Sequence, residues 1–222
     1  MPVGTPTSYI GGTNSTVIPV TSVVVGTGDL VVVGIVYVSD TITVDTIDFG
    51  TETDTFTILG TPEKNAGSYQ AQIWYAKEGT ISAGTQTVNI NLSTSTPTRA
   101  VVAVFSGAGD APDNYDTDQA DSASADAAID PTGATADNAF FDVFGGTGSG
   151  HVPVETGQTK LQDQGGGGVY IHSSWRDGND GSAMGMSWST NSTYAYAGCR
   201  IPEPAIGGSI IPQIMYNRRM QH

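Results

Sequence analysis

Almost no window of this chain carries apolar residues at three- and four-residue spacing without Gly, Pro or several β-branched residues interrupting, and this excludes a helical fold at the outset. Short apolar runs take the place of helices. Leu30–Val38 is nearly continuously apolar, the pattern of a strand buried on both faces. Residues 41–48 alternate through Ile42, Val44 and Ile47, and residues 86–92 through Val88, Ile90 and Leu92, as strands with one wet face do. Further runs cover residues 16–20, 22–25, 55–59, 68–76, 100–105, 139–144, 159–162, 169–175, 183–189 and 194–201, each bounded by Gly, Pro, Asn or Ser. The expected fold is all-β, an antiparallel β-sandwich of jelly-roll type.

Two sets of these runs share one order, which predicts an internal repeat. Gly28-Asp29-Leu30 leads into an apolar run, as Asp137-Asn138-Ala139 does; Thr57-Ile58-Leu59 matches Thr159-Lys160-Leu161. The segment from Gly67 to Trp74 matches that from Gly168 to Trp175, residues 87–93 match 183–189, and 100–105 match 194–199. Trp74 and Trp175 are expected in equivalent places, packing the core. The organisation read from this is an N-terminal arm (1–14), a sandwich (15–204) of pseudo-repeats about 15–109 and 131–204 joined by an acidic segment (110–130), and a C-terminal docking tail (205–222).

The tail carries Ile210, Ile211, Ile214, Met215, Tyr216, Arg218 and Arg219 behind Gly207-Gly208-Ser209. An apolar, basic extension on an acidic domain either covers its own sheet or docks on a neighbouring subunit; these seven residues are the candidate assembly site. The rest of the chain is acidic: 22 Asp and Glu against 8 Lys and Arg give a net charge of −14 over 222 residues, which repels phosphate backbones and anionic membranes. Neither nucleic acid nor membrane is an expected partner. The lone Cys199 makes no intramolecular disulfide and reads as a small buried apolar residue. Residues 1–12 lack the basic and apolar regions of a signal peptide, and no apolar run approaches the ~20 residues of a membrane helix.

Little material for catalysis is present. Of three histidines, one is terminal, and a triad of Ser173, His172 and Asp177 fails because adjacent strand residues face opposite ways. No nucleophile-elbow, zincin or P-loop motif occurs, so no enzyme and no cofactor is expected. The acidic segment reads as a solvated loop, with Asp113, Asp116 and Asp118 as minority candidates for Ca²⁺ ligands in a spacing that departs from the EF-hand. Asp177 and Asp180 lie in a turn with an Asp-Gly signal and read first as a hairpin connection. The run Gly165 to Gly168 reads as a loop, since no helix start follows and no Lys lies inside it.

Residues 28–33 (Gly-Asp-Leu-Val-Val-Val), Ile73-Trp74-Tyr75-Ala76, residues 100–107 ending in Phe105-Ser106-Gly107, and the weaker second cycle together resemble a broad group of β-sandwich proteins common among tailed-phage structural genes and bacterial surface proteins. The resemblance covers approximately residues 15–202. It implies a virion component, an adhesive module or a carbohydrate-binding-like domain, and carries over no functional residue. The expectation is a virion structural protein, an exterior capsid decoration, turret or fibre-associated subunit, made in the host cytoplasm and placed on the virion exterior. Its partners would be other virion proteins and its own copies in a homo-oligomer. The alternative is a carbohydrate- or receptor-binding module of a virus or bacterial surface protein, with a glycan receptor as partner.

Overall fold

The computed structural model describes residues 2–39, 41–53, 55–65, 69–147, 150–166 and 168–205, and of these the side chains of 121–125 and 189–192 are left aside. The seven tail residues singled out above lie outside the described residues. Twelve strands are described, in two sets of six. The first set is β1 (Thr7–Val25), β2 (Leu30–Val38), β3 (Val44–Phe49), β4 (Thr57–Lys64), β5 (Tyr69–Lys77) and β6 (Gly84–Phe105); the second is β7 (Asp113–Ile129), β8 (Ala139–Gly146), β9 (Val152–Pro153), β10 (Thr159–Gly166), β11 (Val169–Asp177) and β12 (Met184–Ile201). All ladders between these strands are antiparallel.

The first sheet runs β1-β6-β2-β5-β4 with β3 on β6, and the second runs β7-β12-β8-β11-β10 with β9 on β12. Replacing each strand by the one six places later converts the first order into the second, so the halves share one topology. Each half builds its own sheet from consecutive strands. The jelly-roll form is not confirmed, because among the described residues consecutive strands of each half stay within one sheet, where a jelly roll would interleave them between two.

The long strands let each sheet fold over itself. The start of β6 pairs with the end of β1 and with β3, while its end pairs with the start of β1 and with β2. The register of β1 slips between Ser15 and Val17 and again between Val20 and Val23, and Ser22 sits at positive φ in the second slip, where a bulge bends the strand. Alternate residues of β2, Val31, Val33, Ile35 and Tyr37, therefore close on Ile18, Val20, Ile47, Phe49, Val88 and Ile90 to form the core of the first half. The second half repeats this with Phe140, Phe144, Ile129, Met184, Met186, Trp188 and Tyr196.

The other faces of the same strands form a third core between the halves. Leu30, Val32, Val36, Ile73, Val101 and Phe105 meet Phe141, Val143, Ile171, Ala197, Cys199 and Ile201. Both faces of β2 are thus buried, and Leu30 through Tyr37 are all inaccessible. Cys199 is free and buried in this layer, as its small apolar character suggests.

Several expectations are corrected by these ladders. Residues 7–14, expected in an N-terminal arm, are part of β1, because Thr7 to Asn14 pair with Val104 to Pro97. The acidic segment is no connecting piece: it is β7, the edge strand that stands where β1 stands in the first half. The two tryptophans are not equivalent. Leu30 pairs with Lys77 and Ala139 with Asp177, which puts Trp175 at the place of Tyr75 and Ser174 at the place of Trp74. A one-residue slip exchanges faces, so Trp74 packs in the first half's core while Trp175 lies against the layer between the halves. The Asp-Gly connection is one 3₁₀ turn, Gly178–Asp180, capped by the Asp177 carboxylate accepting from the Asn179 N–H. Gly166 pairs with Val169 across a tight β10–β11 hairpin.

Candidate functional site: a buried polar centre in the second half

Equivalent strand positions carry different chemistry in the two cores. Where the first half places Val33 and Trp74, the second places Asp142 and Ser174, directly opposite each other on β8 and β11. Both are wholly inaccessible. An isolated buried carboxylate is costly, and this one is compensated by donors. Its Oδ1 accepts from the Ser174 backbone N–H at 2.6 Å and the Ser174 hydroxyl at 2.8 Å; its Oδ2 accepts from the Tyr196 hydroxyl at 2.6 Å and Gln158 Nε2 at 3.0 Å. No positive charge balances it among these contacts. Burial pushes the Asp142 carboxyl up to about 7, against the lowering effect of the hydrogen bonds from Tyr196, Ser174 and Gln158.

Gln158, on the turn before β10, completes the centre. Its Nε2 donates to Ser174 Oγ at 2.7 Å, and its Oε1 accepts two backbone N–H groups, from Gly185 at 3.0 Å and Glu155 at 3.3 Å. Two amide donors on one atom identify that atom as the oxygen, which fixes the orientation of the side chain. A cleft of about 530 Å³, lined among others by Glu155, Gly185, Met186 and Val154, opens beside this turn.

Next to the centre lies a chamber of rings. His172, two residues before Ser174 and therefore on the same face, faces His151 with ring centroids 6.3 Å apart; His151 lies 5.6 Å from Trp188 and 4.7 Å from Phe144. Both nitrogens of each imidazole, and Trp188 Nε1, have no hydrogen-bond partner among the described residues. Burial drives the pKa of His172 down to about 3, helped by His151 and Lys160, and burial likewise lowers that of His151. The chamber is kept neutral. A single tetrahedral Zn²⁺ shared by two imidazoles at ~2.0–2.1 Å would hold the rings closer than the observed 6.3 Å. Among the described residues no group of three or more His, Cys, Asp or Glu is arranged to hold a metal ion.

The candidates named from sequence are placed as follows. Ser173 faces away from His172 and Ser174, its hydroxyl has no partner among the described residues, and Asp177 caps a turn, so His172, Ser173 and Asp177 make no triad. Asp113 forms a two-oxygen ion pair with Arg200, closest at 2.5 Å. Asp116 accepts the Asp130 backbone N–H at 2.7 Å, and Asp118 accepts the Tyr194 hydroxyl at 2.7 Å. Protein donors thus occupy oxygens that Ca²⁺ would need. Asp142, Gln158 and Ser174 were not anticipated. The available signal was a carboxylate in the middle of the otherwise apolar run from Ala139 to Phe144, where only a paired or hydrogen-bonded Asp survives burial.

The first half has a different concave feature, a groove of about 460 Å³ lined by Tyr37, Ile42, Ile58, Gln70, Gln72 and Trp74 among others. Its polar groups form a relay: Trp74 Nε1 donates to Gln72, Gln72 to the Tyr37 hydroxyl, and that hydroxyl to Gln70. No family model matches the chain, and neither a curated protein nor a solved structure matches it.

Proposed function

We propose that this protein is a structural subunit of a virus particle, placed on its exterior as a decoration, turret or fibre-associated element, and that it acts by assembly without turning over a substrate. The observation that carries this reading is the double burial of the central strands. Two sheets are clamped face to face while each also closes its own core, giving a rigid block with an acidic surface that stays soluble at high local concentration. The tail from Ile210 to Arg219 is the proposed anchor to a neighbouring subunit, and that neighbour or a second copy of the chain is the partner.

Sedimentation of the full-length protein, together with incorporation of a chain lacking residues 205–222, tests the proposal. Self-association or binding to capsid or tail proteins that is lost on truncation supports it. A full-length chain that stays monomeric and is incorporated equally well without the tail overturns it. Neighbouring genes for portal, capsid or tail proteins support it, and a setting among cell-wall genes counts against it.

The groove beside Trp74 favours a second reading, a carbohydrate- or receptor-binding module. Amide, phenol and indole groups on an apolar floor suit a neutral polar ligand such as a glycan. Glycan-array binding that disappears in Trp74→Ala supports this reading, and an empty array removes it.

A further inference from the structure

We propose that the second half cross-links itself: Ser174 Oγ attacks the side-chain amide carbon of Gln158 to form an intramolecular ester between the turn before β10 and strand β11, releasing ammonia. This does not rest on the assembly reading and holds or fails separately from it. The groups that such an acyl transfer requires are already in contact. The nucleophile is the Ser174 hydroxyl, 2.8 Å from both Asp142 oxygens. The electrophile is the Gln158 amide, whose nitrogen lies 2.7 Å from Ser174 Oγ and 3.0 Å from Asp142 Oδ2. The amide oxygen accepts the Gly185 and Glu155 backbone N–H groups, a ready oxyanion hole.

The step balances within the chain. Asp142 takes the hydroxyl proton as Oγ bonds to Cδ, the carbonyl oxygen gathers charge between the two N–H donors, and Asp142 passes the proton to Nε2 as the C–N bond breaks. An amide and an alcohol become an ester and ammonia, with no oxidant, reductant or cofactor. A carboxyl whose pKa is raised to about 7 by burial exchanges protons readily at neutral pH. Tyr196, donating to Oδ2 at 2.6 Å, positions it. The Nε2–Oγ hydrogen bond holds the Ser174 hydroxyl beside the Gln158 amide before the reaction, which reduces the entropy of encounter. Ser174 and Asp142 are inaccessible, which limits water at the ester oxygen once it forms, and Gln158, only partly buried on its turn, leaves ammonia a way out. The reaction occurs once per chain, and its product ties together the base of the β10–β11 hairpin, where Lys160 pairs with Ser174.

Intact mass spectrometry of the full-length chain, held at neutral pH in its native fold, is the test. The expected mass is lower than that of the sequence by one ammonia, about 17 Da. Trypsin cuts after Lys160, between the two partners, so the peptides carrying Gln158 and Ser174 remain joined after digestion and are freed by hydroxylamine. Ser174→Ala and Asp142→Asn are expected at full mass. If either variant fails to fold by circular dichroism, the wild-type measurement still decides. A wild-type chain of unaltered mass whose two peptides separate overturns the proposal. So does a loss confined to a single peptide, as cyclisation at an Asn would give.

Discussion

Asp142 and His172 titrate in opposite senses, and both, together with the buried His151, bear on how the fold responds to acid. Unfolded, Asp142 loses its proton near 3.8; folded, it keeps it to about 7. Between those values the folded state holds the extra proton, so this residue's stabilising contribution grows as pH falls and is lost as pH rises through about 7. His172 takes a proton near 6.5 unfolded but only near 3 when folded, so its contribution is present above 6.5 and is lost as pH falls. In the shared window of pH 4 to 6.5 the two slopes cancel, each near 1.4 kcal/mol per pH unit. Asp142→Asn removes one side of the balance. Urea unfolding of that variant is expected to lose about 1.4 kcal/mol per unit of acidification across this window, beyond the wild-type slope. His172→Leu is expected to gain stability on acidification over the same range. Equal slopes in all three proteins refute the pairing. This polar core is hidden in the sequence because alternation of polar with apolar residues is the pattern of a strand with one wet face. His172, Ser174 and Arg176 alternate with Ile171 and Trp175, but both faces of β11 are covered, and its polar side turns inward.

The strands themselves were legible, and the edges were not. Leu30 to Val38 and the alternating run to Leu92 announced β2 and the start of β6, since apolar period and turn residues agree there. The acidic segment does not look like a strand in the sequence, because six carboxylates within 18 residues weigh against one on propensity alone. Among the described residues it is the edge strand β7, paired with β12 alone and with no ladder on its other side. Charge on such an edge discourages pairing with another chain. Neighbours use some of these carboxylates as acceptors, as Asp118 serves Tyr194 and Asp113 serves Arg200. Asp116→Asn with Asp118→Asn is expected to raise self-association, seen by light scattering at low ionic strength as a larger radius than the wild type. An unchanged radius across concentrations would show that charge on β7 is not what keeps this edge open. An edge of the first sheet uses other means: β4 carries Gly60 at positive φ and Pro62, and Tyr115 of β7 covers it by donating its hydroxyl to the Thr61 carbonyl at 2.9 Å.

At the scale of the whole chain, the halves meet as the two subunits of a twofold dimer would, with one departure that makes each half specific for the other. Strands β2 and β8 hold equivalent places, so Gly34 corresponds to Val143 and Val36 to Gly145. Across the interface a Cβ on Gly34 would stand 2.8 Å from the Cβ of Val143, and a Cβ on Gly145 would stand 2.7 Å from that of Val36. Each valine fills the space its partner's glycine leaves. A symmetric pair of first halves would set Gly34 against Gly34 and Val36 against Val36, leaving a void beside a clash. The repeat seen in the order of strand runs therefore reads as duplication followed by divergence into complementary surfaces, and register-level contacts of this kind leave no mark in hydrophobic period. A double-mutant cycle tests it. Gly34→Val alone overpacks the layer and is expected to cost about 1–3 kcal/mol, and Val143→Gly alone opens a cavity of similar cost. Together the two changes exchange knob and hole, and the pair is expected to recover at least 1 kcal/mol relative to the sum of the singles, within the usual range for contacting residues. Additive losses in urea or thermal unfolding would mean that Gly34 and Val143 do not share one space, and the complementarity between the halves would have to be sought elsewhere in the layer.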